Sequence, residues 1–192
     1  MDTNFLSGLP IVKPNRTRRA SSWDKTGGNR DRLCLIPGQT ETLLDTTGPG
    51  TITHIWMTSA CREPDHLRKV LLRVYWDEET SPSVVVPLGD FFGVGHGCTA
   101  GFVSLPLVMA PEGGHGMNCY FPMPFASSAE IEITGSSPNE EWNLEVDLEQ
   151  VGEFEPGWGY FHALHTRVDS SVGYLPFQVL STRGKGHWVE MS

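Results

Sequence analysis

Two short stretches of this sequence gather residue types that bind polar ligands. Residues 21–31 read Ser-Ser-Trp-Asp-Lys-Thr-Gly-Gly-Asn-Arg-Asp. Trp23 offers a flat aromatic face beside the carboxylates of Asp24 and Asp31 and the amide of Asn29. Sugar sites use these parts: the ring covers the apolar side of a pyranose or furanose, and carboxylates and amides hold its hydroxyls. The same residues also suit a loop that caps its own backbone, because Asp and Asn bond to nearby N–H groups and Gly27-Gly28 permits positive φ. The second stretch is Asp90-Phe91-Phe92-Gly93, followed by His96 in Gly-Val-Gly-His-Gly. Asp90 comes directly after a predicted strand, so it stands where a strand end meets a ligand-approachable loop. It either contacts a ligand there or accepts loop N–H groups. The glycine spacing is not that of a dinucleotide-binding turn, and no helix follows it.

Other chemistries find less support. His162 and His165 are three apart, which puts them on opposite faces of the strand expected over 160–167 and argues against a shared metal. His54 sits in an apolar strand and reads as a hydrogen-bonded core histidine. No serine stands in a Gly-x-Ser-x-Gly elbow. Asp24, Asp31, Asp77, Asp90 and Glu112 are loop-placed acids, but spacing does not show which two would lie about 5–5.5 Å apart, as a retaining glycosidase needs. No metal or other cofactor is expected.

The scaffold that must carry these groups is a β-protein. The chain has 192 residues, 39% hydrophobic and 19% charged, with 21 glycines and 14 prolines. Such dense turn punctuation favours many short strands over a helical bundle. Strands are expected over 33–36, 41–44, 51–58, 69–76, 83–88, 102–108, 129–134, 143–151, 160–167 and 176–180, with a helical turn over 63–69. Residues 69–76 and 83–88 read as a hairpin. In 51–58, strict alternation places Ile52, His54, Trp56 and Thr58 on one face. The fold class is all-β, an antiparallel sandwich of jelly-roll type.

A net charge of −9 lacks the footprint of a nucleic-acid binder. The one basic cluster, Arg16, Arg18 and Arg19, falls in residues 1–20, which Pro10 and Pro14 mark as an arm. No apolar run reaches the roughly 20 residues of a membrane helix, and the start of the chain lacks an apolar leader. No membrane partner and a cytoplasmic location are therefore expected, with Cys34, Cys61, Cys98 and Cys119 as reduced, mostly buried thiols.

Taken in order, Ser-Ser-Trp-Asp-Lys-Thr-Gly-Gly-Asn (21–29), Gly-Pro-Gly-Thr-Ile-Thr-His-Ile-Trp (48–56), Leu-Arg-Val-Tyr-Trp-Asp (72–77), Val-Pro-Leu-Gly-Asp-Phe-Phe-Gly (86–93), Cys-Tyr-Phe-Pro-Met-Pro-Phe (119–125) and Tyr-Phe-His-Ala (160–163) resemble the domain-of-unknown-function family 2961, placed in glycoside hydrolase family 172. The resemblance runs from about residue 10 to 189. It implies the first of two tandem jelly rolls, residues 21–183, in an enzyme that cleaves fructofuranosides, difructose anhydrides or arabinofuranosides with retention and assembles as trimers or hexamers. It makes Trp23, Asp24, Asn29, Asp90, Phe91, Phe92 and His96 expected sugar contacts. Residues 184–192 resemble the start of the linker to the second jelly roll. The two catalytic glutamates belong to that second half, so no catalytic residue is expected here. The other reading is a sugar-binding or structural jelly roll without catalysis.

Overall fold

A computed structural model describes residues 10–135, 140–167 and 178–189. Residues 1–9 of the arm expected over 1–20, the strand start at 176–177 and the end of the linker segment at 190–192 lie outside these.

The described strands are β1 (Arg16–Ser21), β2 (Leu33–Leu35), β3 (Thr40–Thr47), β4 (Gly50–Ala60), β5 (Leu71–Trp76), β6 (Val84–Pro87), β7 (Phe102–Val103), β8 (Leu107–Met109), β9 (Met117–Cys119), β10 (Met123–Phe125), β11 (Ser128–Thr134), β12 (Glu140–Gln150) and β13 (Ala163–Leu164). One sheet orders β1-β12-β4-β9-β8-β7, with β10 also on β4 and β2 also on β12. The other orders β13-β6-β5-β11-β3. All pairs are antiparallel except β13 with β6. This is the expected jelly-roll sandwich, and its two sheets close on one core.

Period-two alternation builds that core. In β11 Ala129, Ile131 and Ile133 point in, and Glu130 and Glu132 point out. Leu72, Val74 and Trp76 of β5 and Trp142, Leu144, Val146 and Leu148 of β12 do the same. Each such side chain contributes roughly 1.5–3 kcal/mol through removal of apolar surface from water. Two bulges break the alternation. Opposite β12 the register skips Thr53, with Asp147 facing His54 and Leu148 facing Ile52. The extra residue flips the parity of β4, so Ile52 joins Ile55 and Met57 inside. His54 and Trp56 therefore lie on the outer face, not with Ile52 as strict alternation predicts. Opposite β11 the register skips Leu43, which lets Leu43 and Leu44 both be buried.

Other expectations are corrected. Arg16–Ser21 is not arm but an edge strand along β12, because Arg19 reaches Asp147 (2.6 Å) and Glu145 (3.0 Å) across the pair. The strand over 102–108 is a β7–β8 hairpin, where Ser104 turns the chain by bonding Leu107. The strand over 160–167 shrinks to Ala163–Leu164, and residues 178–180 are exposed and not in a strand. Cys119 is buried and Cys61 half-buried, but Cys34 and Cys98 are exposed. Among the described residues no helix is long and apolar enough to cross a membrane.

Candidate functional site

The first stretch folds as a loop between β1 and β2, both of which pair with β12. Ser22 ties it down: its N–H donates to the Leu144 carbonyl (3.2 Å), its hydroxyl donates to the Asp31 carbonyl (2.9 Å), and the Leu144 N–H donates to the hydroxyl oxygen (3.2 Å). Asp24 is the inner bracket. Its Oδ1 accepts from the Thr26 N–H (2.9 Å) and hydroxyl (2.6 Å), and its Oδ2 accepts from the Arg30 N–H (3.0 Å). The Thr26 hydroxyl, the Thr26 amide and the Arg30 amide together hold its carboxyl below the ordinary aspartate value. The carboxylate fits because residue 28 is glycine: a Cβ there would stand 2.8 Å from Asp24 Oδ2. Asp31 accepts the Asp24 N–H (2.7 Å). Trp23 is left 58% exposed on this bracket, and Asn29, at φ 59°, is exposed beside it.

The second stretch lies beyond β6. Residues Leu88–Phe91 form a single helical turn, α2, facing the turn α1 (His66–Lys69). Arg68 of α1 donates to Asp90 Oδ1 at 2.6 Å, and the Asp90 side chain is only 11% exposed. The Arg68 stem also runs under Gly97, where a Cβ would meet its Cγ at 3.2 Å. Arg68 thus joins α1, Asp90 and the 3-10 turn Gly95–Gly97 that carries His96. Phe91 and Phe92 are buried edge to face (5.1 Å), and Phe91 continues to Phe161 at 6.3 Å. Both rings pack in the core. His96 is exposed at φ 60°. Replacing Arg68 with alanine removes the cation from a nearly buried carboxylate. It should cost about 2 kcal/mol of unfolding free energy, read by chemical denaturation, with Arg68→Lys recovering part of that.

The seven expected residues therefore fall into two groups. Trp23, Asp24 and Asn29 share one loop; Asp90, Phe91, Phe92 and His96 share another. The hydrogen bonds of the first loop run within it and to Leu144. Asp24, Asp31 and Asp77 spend their carboxylates on backbone N–H groups, and Asp90 holds Arg68. His54 is satisfied as expected, but on the outer face: Nδ1 lies 3.2 Å from Asp147, Nε2 lies 3.2 Å from Asn118, and the ring stacks on Tyr120 at 4.5 Å. Burial works to raise the Asp147 carboxyl, but bonds from Arg19 and His54 outweigh it and hold the group below its ordinary value.

A cleft of about 250 Å³ lies next to α1, where the end of β4, the Gly95–Gly97 turn and the start of β9 meet. Ser59, Cys61, His66, Thr99 and His115 are among its lining residues, and none of the seven expected residues is. Sequence reading missed it because its walls come from four separate segments. The signal within reach was His66, in the middle of the helical turn expected over 63–69. A second hollow lies on the outer face of the β5–β11–β3 sheet among Asp45, Glu78, Glu79 and Glu130. Partial burial and then repulsion from Glu132 and Asp45 raise the Glu130 carboxyl. Among the described residues no group of three or more His, Cys, Asp or Glu side chains is arranged to hold a metal ion.

These features define a jelly-roll domain with Trp23 exposed on a braced loop, Trp158 and Trp188 being exposed elsewhere. A family model described as GH172 domain-like matches residues 28–146, more than half of the sequence, and the chain belongs to that family. The match includes Asn29, Asp90 and His96 and begins just after Trp23 and Asp24. No curated protein matches the chain. Solved structures with some similarity are those of infectious bursal disease virus. The Gx strain is 11% identical over 76% of this chain and 34% of that one, at a TM-score of 0.36. The VP2 subviral particle is 11% identical over 73% of this chain and 34% of that one, at 0.38. The chain spans about a third of the length of these structures.

Proposed function

We propose that this domain is the sugar-contacting first jelly roll of a retaining furanoside-cleaving glycoside hydrolase. On this reading both catalytic glutamates come from a following jelly roll, and the enzyme works as a homo-oligomer. The observation that carries it is Trp23. Trp23 is 58% exposed on a loop held by the carboxylates of Asp24 and Asp31. A rigid aromatic face loses little entropy when a sugar ring stacks on it. Asn29 and His96 supply exposed polar groups. Family membership places the domain among glycoside-hydrolase-related proteins.

The reading is tested by titrating the chain with fructofuranosides and arabinofuranosides while following tryptophan fluorescence. A saturable change at millimolar sugar is expected. Trp23→Ala should weaken binding about tenfold, the value of one lost stacking contact. A titration with no sugar-dependent change, or one unaltered in Trp23→Ala, would remove the sugar-contacting role. Hydrolysis by the chain alone would overturn the assignment of the catalytic glutamates to a following domain.

A further inference from the structure

The cleft beside α1 holds a hydrogen-bonded chain that the sugar-binding reading does not use. His66 Nδ1 lies 2.8 Å from the Glu63 carbonyl oxygen. A carbonyl only accepts, so Nδ1 carries the proton of the neutral ring. The lone pair on Nε2 then points at Ser59 Oγ, 2.9 Å away, and the hydroxyl donates to it. This is a nucleophile joined to a base, and the base joined to a group that sets its tautomer, with a backbone carbonyl where a carboxylate often stands.

The arrangement is held from several sides. Ser59 is in β4, paired with Trp142 of β12. The His66 ring leans on the buried Trp142 ring at 6.0 Å and 56°. The turn that offers the Glu63 carbonyl is closed by the Lys69–Glu63 ion pair at 3.0 Å, and α1 is anchored by buried Leu67. Ser59 and His66 are both half-buried and both face the cleft of about 250 Å³, which suits a small acyl group rather than a polymer. Thr99 and His115 share the lining.

We propose that Ser59 is an acyl-accepting nucleophile, with His66 as its general base, acting on short-chain esters. Ser59 Oγ bonds to the ester carbonyl carbon as its proton passes to His66 Nε2. The tetrahedral centre collapses, the bond from carbon to the leaving oxygen breaks, and Nε2–H protonates the departing alkoxide. Water, giving its proton to the same nitrogen, then attacks the acyl-serine carbonyl carbon; the bond from that carbon to Ser59 Oγ breaks, Nε2–H returns the proton to Oγ, and the acid is released.

The test treats the full chain with a fluorophosphonate probe and, separately, with p-nitrophenyl acetate. The probe is expected to modify Ser59, located by peptide mass. Ser59→Ala should abolish that modification and lower the rate of p-nitrophenolate release about 10²-fold, the scale of lost general-base-assisted attack. His66→Gln should do the same. If His66→Gln fails to fold, Ser59→Ala still decides, because it removes a single oxygen and its folding is checked by circular dichroism. Probe on another residue, no modification, or unchanged ester turnover in Ser59→Ala overturns the proposal. None of these readouts depends on furanoside binding.

Discussion

Replacing Gly116 with alanine should destabilise the domain by about 3 kcal/mol, the upper part of the usual range for overpacking. A Cβ at this position would stand 2.1 Å from the Ala110 carbonyl oxygen and 3.1 Å from its carbon. The obstacle is backbone, so no rotamer change relieves it. Residues 110 and 116 face each other where the β8–β9 loop closes, and the Ala110 N–H donates to the Gly116 carbonyl at 2.9 Å. The chain must part here, which strains the adjoining pairs Met109↔Met117 and Leu107↔Cys119. In a domain of this size the loss corresponds to a fall of roughly 6–12 °C in Tm. Gly152→Ala is the control: nothing lies within 4 Å of a Cβ there, and a change within about 0.5 kcal/mol is expected. Equal melting of the two variants would contradict the close approach at Gly116. Gly114, His115 and Met117 line the cleft, so the Gly116 variant should also lose any ester turnover.

Asp77→Ala should cost a similar amount, about 3 kcal/mol, because hydrogen bonds to an ionised acceptor are worth more than neutral ones and several are lost together. Asp77 follows β5 in left-handed backbone (φ 54°), as does Glu78 (φ 62°). Its carboxylate leaves this turn and accepts the N–H groups of Ala126 (3.0 Å), Ser127 (2.7 Å) and Ser128 (3.1 Å) at the corner between β10 and β11. The Tyr160 hydroxyl donates to Oδ2. One side chain thus pins two chain reversals and the segment that follows β12. Asp77→Asn keeps a residue type that tolerates the left-handed conformation, so it should lose less than alanine.

The same group sets a pH dependence. Burial works to raise the Asp77 carboxyl, but the Tyr160 hydroxyl and the Ser127 and Ser128 amides outweigh it and hold it below its ordinary 3.8. A folded value below the unfolded one gives stability that is fully present above pH 3.8 and is lost as pH falls through the lower folded value. Chemical denaturation should therefore be flat from neutral pH down to the ordinary aspartate range and steepen below it, with a shallower fall in Asp77→Asn. Tyr160 moves the opposite way. Its bond to Asp77, then burial, push the phenol up to about 12, so its contribution is present below pH 10 and fades as pH rises toward that value. Phenolate absorbance should show Tyr160 titrating late, beside Tyr75, which burial and Glu132 also raise, and the Tyr160 component should return toward 10 in Asp77→Asn.

Most of the fold was legible because strand period and turn chemistry are local. The alternation of Ala129, Ile131 and Ile133 with Glu130 and Glu132 marks β11 without reference to any partner. The bulge in β4 was not legible: nothing in Thr-Ile-Thr-His says that Thr53 will be skipped, since the skip is set by register against β12. The strand expected over 160–167 shrank for a related reason. Only Ala163 and Leu164 reach a ladder, along β6, while just before them the Phe161 carbonyl is taken by the Trp76 side chain at 2.8 Å.

The candidate site divides along the same line. Residues 21–31 declared a self-capping loop, and the bonds of Asp24 and Asp31 are local enough to be read from Asx chemistry. Composition likewise determined the all-β class, and ordered motifs carried the resemblance that the GH172 domain-like match then made firm. Only the tertiary structure decided which aromatic rings face solvent. Trp23 and the pair Phe91 and Phe92 look alike as sequence, yet one is 58% exposed and the others 8% and 0%, because α2 turns the phenylalanines toward the core. Ser59 and His66 are only seven residues apart, but only packing closed a cleft over the pair, by bringing Gly97, Thr99, His115 and Met117 to it from far along the chain. Local backbone preference is carried by neighbouring residues, whereas burial and side-chain juxtaposition depend on groups far away in the chain.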